Sequence, residues 1–229
     1  MYEEMKQRVY QANKSLKDYD LIIFSWGNVS EIDRENNIIA IKPSGVPYDE
    51  LTPEKIVLVD LDGNIVEGEL KPSSDTETHL ELYKNFEEIG GICHTHSTHA
   101  TMWAQACQEI PCLGTTHADH FYGNIPVTER MEKNDIEQNY EKQTGKYIVR
   151  EFQDKKPMYM PAVLVANHGP FVWGNSAHKA VKNSVVLEEL AKMAQGALNI
   201  NSGIGEISQE LLDKHFLRKH GEEAYYGQN

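Results

Sequence analysis

Apolar positions recur at helical spacing from the start of the chain. Met5, Val9, Ala12 and Leu16 fall on one side of a helix predicted over residues 3–19. Continuous apolar runs follow: LIIFSW (21–26), IIAIK (38–42) and KIVLVD (55–60) read as buried strands. Asp62-Gly63, between KIVLVD and NIVEG, is a hairpin turn signal. The period turns helical over 75–88, with Leu80, Tyr83 and Phe86 inward, and returns to a strand at GGICHTH (90–96). Ser97 stands where a helix N-cap belongs, and that helix runs to about Cys107. AVLVANH (162–168) is an apolar strand ending in a histidine, and PFVW (170–173) follows it. Two long helices cover 177–198 and 207–220, while the polar stretch 129–145 reads as a surface helix or loop.

Short strands joined by tight turns favour antiparallel pairing. The strands do not alternate strictly with helices, which argues against a doubly wound parallel sheet. No repeat, low-complexity tract or Pro/Gly/Ser linker divides the chain, so residues 1–229 read as a single α/β domain.

Charge narrows the partners. The net charge is −13 and no Lys/Arg cluster exceeds a pair, so neither nucleic acid nor an acidic membrane is an expected partner. No apolar run approaches the roughly 18 residues of a membrane span, and the mixed-charge N-terminus lacks the apolar core of a signal peptide. A soluble, cytoplasmic protein is expected. Cys93, Cys107 and Cys112 form no disulfide framework and read as reduced thiols. Cys93 precedes His94 and should point to the opposite strand face as a buried thiol.

The candidate chemistry lies in GGICHTHSTHATMWAQ (90–105). In a strand, His94 and His96 project from the same face, about 7 Å apart along the chain. Two imidazoles so placed can converge on one cation, or simply line a wet strand end. His168, at the end of VLVANH, adds a third imidazole, and Asp75 can supply an oxygen ligand or a base. Three histidines with an open position suit Zn²⁺ or a similar divalent ion, Mn²⁺ and Co²⁺ included. KPSSDTETH (71–79) gives Ser74 and Glu77 capping-box spacing, so it reads either as a capped helix or as an anion site. SWGNVS (25–30) and KPSGVPY (42–48) likewise set glycine beside small polar residues after a strand. Gly27, Asn28, Ser44, Gly45, Ser73 and Ser74 are candidate phosphate donors, and Lys42 adds charge.

SWGNVS, KPSGVPY, KPSSDT, HTHSTHATMWAQ, GTTHADHFYG, NHGPFVWG and LLDKHFLRKHGEEAYYGQ together resemble the L-ribulose-5-phosphate 4-epimerases, a branch of the class II sugar-phosphate aldolase family. The resemblance runs from about residue 5 to the end. It implies α/β/α layers, with a central, mainly antiparallel sheet flanked by helices. It also implies a homotetramer whose sites lie at subunit interfaces and are completed by a neighbouring subunit. His94, His96 and His168 match the metal histidines, and Asp75 the acidic position beside them, where fuculose-phosphate aldolases carry a glutamate base. The anion loops match phosphate-binding positions; Asp119 and Tyr226 match two proton handlers; Thr115, Glu141, His215 and Arg218 match supporting positions. His120 departs from the pattern, which has an aromatic residue there.

The reaction so implied interconverts L-ribulose 5-phosphate and D-xylulose 5-phosphate, which differ only at C4. The C2 ketone acidifies C3–H but not C4–H, so inversion requires breaking the C3–C4 bond, turning the aldehyde and re-forming the bond. The alternatives are an aldolase that releases its aldehyde, a zinc hydrolase, for which the HExxH motif is missing, and a metal-binding module without catalysis.

Overall fold

A computed structural model describes residues 2–221 and 224–225. Seven strands form one sheet: β1 (Asn28–Asp33), β2 (Ile38–Ile41), β3 (Val57–Asp60), β4 (Ile65–Glu67), β5 (Gly91–His94), β6 (Ala162–Leu164) and β7 (Pro170–Gly174). Their order is β4-β3-β2-β1-β5-β7-β6, and every neighbouring pair is antiparallel. The helices are α1 (Glu3–Asp18), α2 (Thr76–Asn85), α3 (Thr98–Ala106), α4 (Thr115–Ala118), α5 (Lys133–Glu151), α6 (Ala177–Ile200) and α7 (Gln209–His220). The expected α/β fold with an antiparallel sheet is therefore observed.

Both faces of the central strands are buried, which explains why they read as continuous apolar runs, while the edge strand β4 is exposed. Successive residues feed different cores. Ile39, Val57, Val59 and Ile92 pack with α2, α3, α5 and most of α6. Ala40, Leu58 and Cys93 face Met5, Val9, Ala12 and Leu16 of α1 and the first turns of α6. Cys93 is thus opposite His94, as expected, and burial pushes its thiol up to about 12.

LIIFSW is not a strand. Residues 21–27 form an irregular loop in which Ile23 and Phe24 are exposed, and Phe24 adopts a left-handed φ of 55°. The strand is the next segment, NVSEID, whose polar letters concealed it. Its polar side chains are buried because each finds a partner. Ser30 bonds His79 and Tyr83, and Glu31 accepts from Arg8 and the Ala177 amide. The Asn13 side chain brackets the Val29 backbone from α1. The capping box at Ser74 is also absent: Asp75 holds the N-cap position of α2 without a side-chain cap. The polar stretch 129–145 lies largely in α5, which bends at Asn139.

The start of α6 crosses β5 so closely that Gly91 leaves no room. A Cβ there would lie 2.3 Å from the Ala177 nitrogen. Gly91→Ala must therefore shift backbone against backbone. A loss of about 3 kcal/mol is expected from overpacking, read as a lower denaturant midpoint.

Candidate metal centre

The centre forms where β1, β5 and β7 end side by side. Pairing of Asn28 with His94, and of His94 with Phe171, places residues from three strands within reach of each other. His94 closes β5, and its ring stacks on Phe171 at 4.1 Å. Its Nδ1 lies 2.9 Å from the Pro170 carbonyl. A carbonyl only accepts, so Nδ1 carries the proton and Nε2 is the nitrogen turned toward the other histidines. His96 lies beyond the strand, in the turn before α3, yet its Nε2 comes within 3.2 Å of His94 Nε2. The same-face strand argument therefore holds for His94 alone. His168 arrives from a turn after β6, where Asn167 takes a left-handed φ of 62°. One donor atom from each of the three histidines lies within 4.8 Å of the others.

These donors fit a divalent ion. Burial lowers the imidazole of His168 to about 3, helped by His94 and His96, and burial also lowers His96. Both are neutral, the form that binds metals. Two nitrogens about 2.0–2.1 Å from a tetrahedral ion stand about 3.3 Å apart, close to the 3.2 Å between His94 and His96. Asp75 stands beside this group: its Oδ2 is 4.0 Å from His94 Nε2 and accepts from the Asn28 amide at 2.6 Å. Burial acts to raise its carboxyl. The nearby His94 and His79 imidazoles and the Asn28 bond outweigh that effect and hold it below the usual range.

The histidines open on a cleft of about 530 Å³. All three anion loops line it, bringing Gly27, Asn28, Lys42, Ser44, Gly45, Ser73 and Ser74 to the same cavity as Asp75, His94, His96, His168 and Glu141. Gly27 (φ 91°) permits the close approach: a Cβ there would meet the His94 carbonyl at 2.7 Å. Lys42 is 2% exposed and lies over the Tyr48 ring. Burial lowers its ammonium to about 8. A buried cation facing amides and hydroxyls is suited to an incoming anion.

Four of the remaining expected residues, Thr115, Asp119, His215 and Arg218, lie elsewhere. Asp119, at the end of α4, accepts from His215 and Arg218 at 3.0 Å and from Lys219 at 3.1 Å. Burial acts to raise its carboxyl, but bonds from Lys219, Arg218 and His215 overcome this and hold it at about 2. Thr115 begins α4, and its carbonyl accepts the Asp119 amide. None of these four residues lines the cleft. His120 is kept neutral, lowered to about 4 by burial and by the Lys219 and Lys179 charges. Tyr226 falls outside the described residues.

Residues 7–195 match the family description "Class II Aldolase and Adducin N-terminal domain". The chain belongs to the class II aldolase and adducin family. Among solved structures, an L-fuculose 1-phosphate aldolase is 29% identical, with 93% of this chain and 94% of that one aligned at a TM-score of 0.78. YgbL from Klebsiella pneumoniae, a candidate aldolase/epimerase/decarboxylase, is 25% identical over 93% and 99% at 0.74. L-fuculose 1-phosphate aldolase from Glaciozyma antarctica PI12, at 19% identity over 97% and 84% and a TM-score of 0.78, shares the fold.

Within this class II aldolase domain, two cleft residues went unnoticed in the sequence. Trp26 lines the cavity, with its ring 6.1 Å from that of His96. Tyr140 places its hydroxyl 3.2 Å from His168 Nδ1, leaving Nε2 of that ring for an ion. Its signal was adjacency to Glu141 in an otherwise polar stretch. Removing such an outer partner typically costs about 10–100-fold in metal affinity. Tyr140→Phe is expected to weaken zinc binding by at least about tenfold, measured by competition with a chromogenic chelator.

Proposed function

We propose that this chain is a metal-dependent enzyme that cleaves and re-forms a carbon–carbon bond of a sugar phosphate, and that its reaction is the C4 epimerisation of L-ribulose 5-phosphate and D-xylulose 5-phosphate. One observation carries this reading: three imidazoles, a carboxylate and three anion-type loops share one cleft. Family membership supports the coarser part, a carbohydrate-processing enzyme that uses a divalent ion. A divalent ion held by His94, His96 and His168, with Zn²⁺ preferred and Mn²⁺ or Co²⁺ as substitutes, would act as a Lewis acid toward the developing enediolate charge, a contribution of several kcal/mol.

The chain's own residues would do the rest. Lys42, Ser44, Ser73 and the amides around Gly27 and Gly45 would grip the phosphate of the aldehyde fragment. Such a grip lets the fragment turn without leaving. Asn28 would fix Asp75, through their 2.6 Å bond, against the substrate oxygens nearest the ion. Asp119 and Tyr226 would move protons at the C4 oxygen, one on each face of the aldehyde. Asp119 would take the C4 hydroxyl proton when one epimer is cleaved and return it when that epimer re-forms. Because Asp119, His215 and Arg218 cluster away from the cleft, they would act on a neighbouring subunit's site in a homotetramer. The exposed Ile23 and Phe24 beside the cleft support such an association.

A second reading, an aldolase releasing its aldehyde, has its own support in the 29% identity to an L-fuculose 1-phosphate aldolase. The two separate in one assay. Zinc-loaded and EDTA-treated protein would be offered L-ribulose 5-phosphate and L-fuculose 1-phosphate. The epimerase reading expects turnover of the first only, lost with EDTA. Turnover of the second with release of free aldehyde would establish the aldolase, and metal-independent turnover would remove both.

A further inference from the structure

α3 touches both histidine segments. It begins two residues after His96, and its Ala104 carbonyl accepts the Asn167 amide, next to His168, at 2.9 Å. The orientation of this one helix thus bears on the separation of two of the three imidazoles. Its N-terminus is secured in an unusual way. Ser97 occupies the cap position but makes no side-chain cap bond. The Glu188 carboxylate, reaching over from α6, takes that place. Its Oε1 accepts from the His99 amide at 2.8 Å and its Oε2 from the Ala100 amide at 2.9 Å. The His99 ring adds a third bond, Nδ1 to Oε1 at 2.8 Å. One turn further along both helices, the Trp103 indole donates to the Ala191 carbonyl at 3.0 Å.

A carboxylate at a helix N-terminus satisfies free amides and complements the helix dipole. Here it also comes from a helix that packs on the sheet carrying His94. We propose that Glu188 is a positioning residue for the metal centre: its clamp on α3 sets His96 and His168 at the spacing an ion requires. The proposal rests on the reading of the three histidines as metal ligands. It also accounts for His99, which supplies the clamp rather than a ligand.

The test uses full-length apo-protein, titrated with Zn²⁺ against a chromogenic chelator, with thermal melting of each apo-variant alongside. E188A is expected to bind Zn²⁺ at least tenfold more weakly than wild type, within the range for residues supporting metal ligands. E188Q retains an amide oxygen and should recover part of that loss. It also carries the test if E188A does not fold. Val181→Ala removes buried volume from α6 on the core away from α3. It should lower the apo melting temperature and leave zinc affinity unchanged. Wild-type affinity in E188A, or in E188Q where E188A does not fold, would overturn the proposal whatever the apo melting temperature, and a lowered melting temperature would then mark the clamp as structural only. Wild-type protein that binds no Zn²⁺ would overturn the metal reading itself, and the proposal with it.

Discussion

His96→Asn is expected to reduce kcat by about a thousandfold or more while leaving the protein folded. A Lewis acid contributes several kcal/mol to stabilising an enediolate, and each 1.36 kcal/mol is tenfold in rate, so about 4 kcal/mol corresponds to about 10³. His96 is the histidine to change because it lies outside the strand and is only partly buried. His94, 2% exposed and stacked on Phe171, would leave a hole in the sheet when truncated. Two hydrophobic cores hold the fold without an ion. Loss of zinc should therefore give an inactive but cooperatively melting protein. The check is threefold: kcat, zinc per chain and the apo melting curve. Unfolding on loss of zinc would instead mark a structural metal.

Lys42→Met is expected to raise KM for the sugar phosphate by about 10–100-fold, with a smaller effect on kcat. Hydrogen bonds to charged groups contribute about 1.5–3 kcal/mol, and the phosphate is bound before and after bond cleavage alike, so the loss falls on binding. The pH dependence gives a second signature. Burial holds the Lys42 ammonium at about 8, below its ordinary value. In the free protein this group binds its proton less tightly than in the unfolded chain, so stability rises with pH between about 8 and the ordinary lysine value near 10.4. Substrate binding has the opposite sign. The phosphate is a dianion above its second pKa of about 6, and it needs Lys42 charged. Affinity should hold to about pH 8 and fall above it. In Lys42→Met that fall should vanish. Measuring KM from pH 6.5 to 9.5 for both proteins, at a zinc concentration that keeps the centre full, checks both parts.

The fold was legible wherever burial followed residue type. α1, β2, β3 and α6 announced themselves through apolar period because both sheet faces are covered. β1 was missed since three of its five buried positions are the polar Asn28, Ser30 and Glu31, and the burial of Ser30 and Glu31 depends on partners in α1, α2 and α6. No local pattern encodes those partners. The apolar loop just before it misled for the complementary reason: Phe24 is 82% exposed within the single chain. At the centre, the strand-end histidines and the Gly-Ser loops could be read from spacing and chemistry. Tyr140, Glu188 and the Pro170 carbonyl could not, because each reaches its histidine segment from a distant element. Asp119 belongs to a third class. Its motif was recognisable, but its carboxylate is engaged by α7 at a distance from the cleft.

Inversion by carbon–carbon cleavage is open to one direct measurement. Zinc-loaded protein would be run with L-ribulose 5-phosphate in D₂O and the products followed by ¹H and ¹³C NMR. Cleavage carries C3–H and C4–H away on separate fragments without exchanging either. The expected result is D-xylulose 5-phosphate with no deuterium at C3 or C4 and no accumulating glycolaldehyde phosphate. Deuterium at either carbon of the epimer, or no conversion by the zinc-loaded protein, would contradict it.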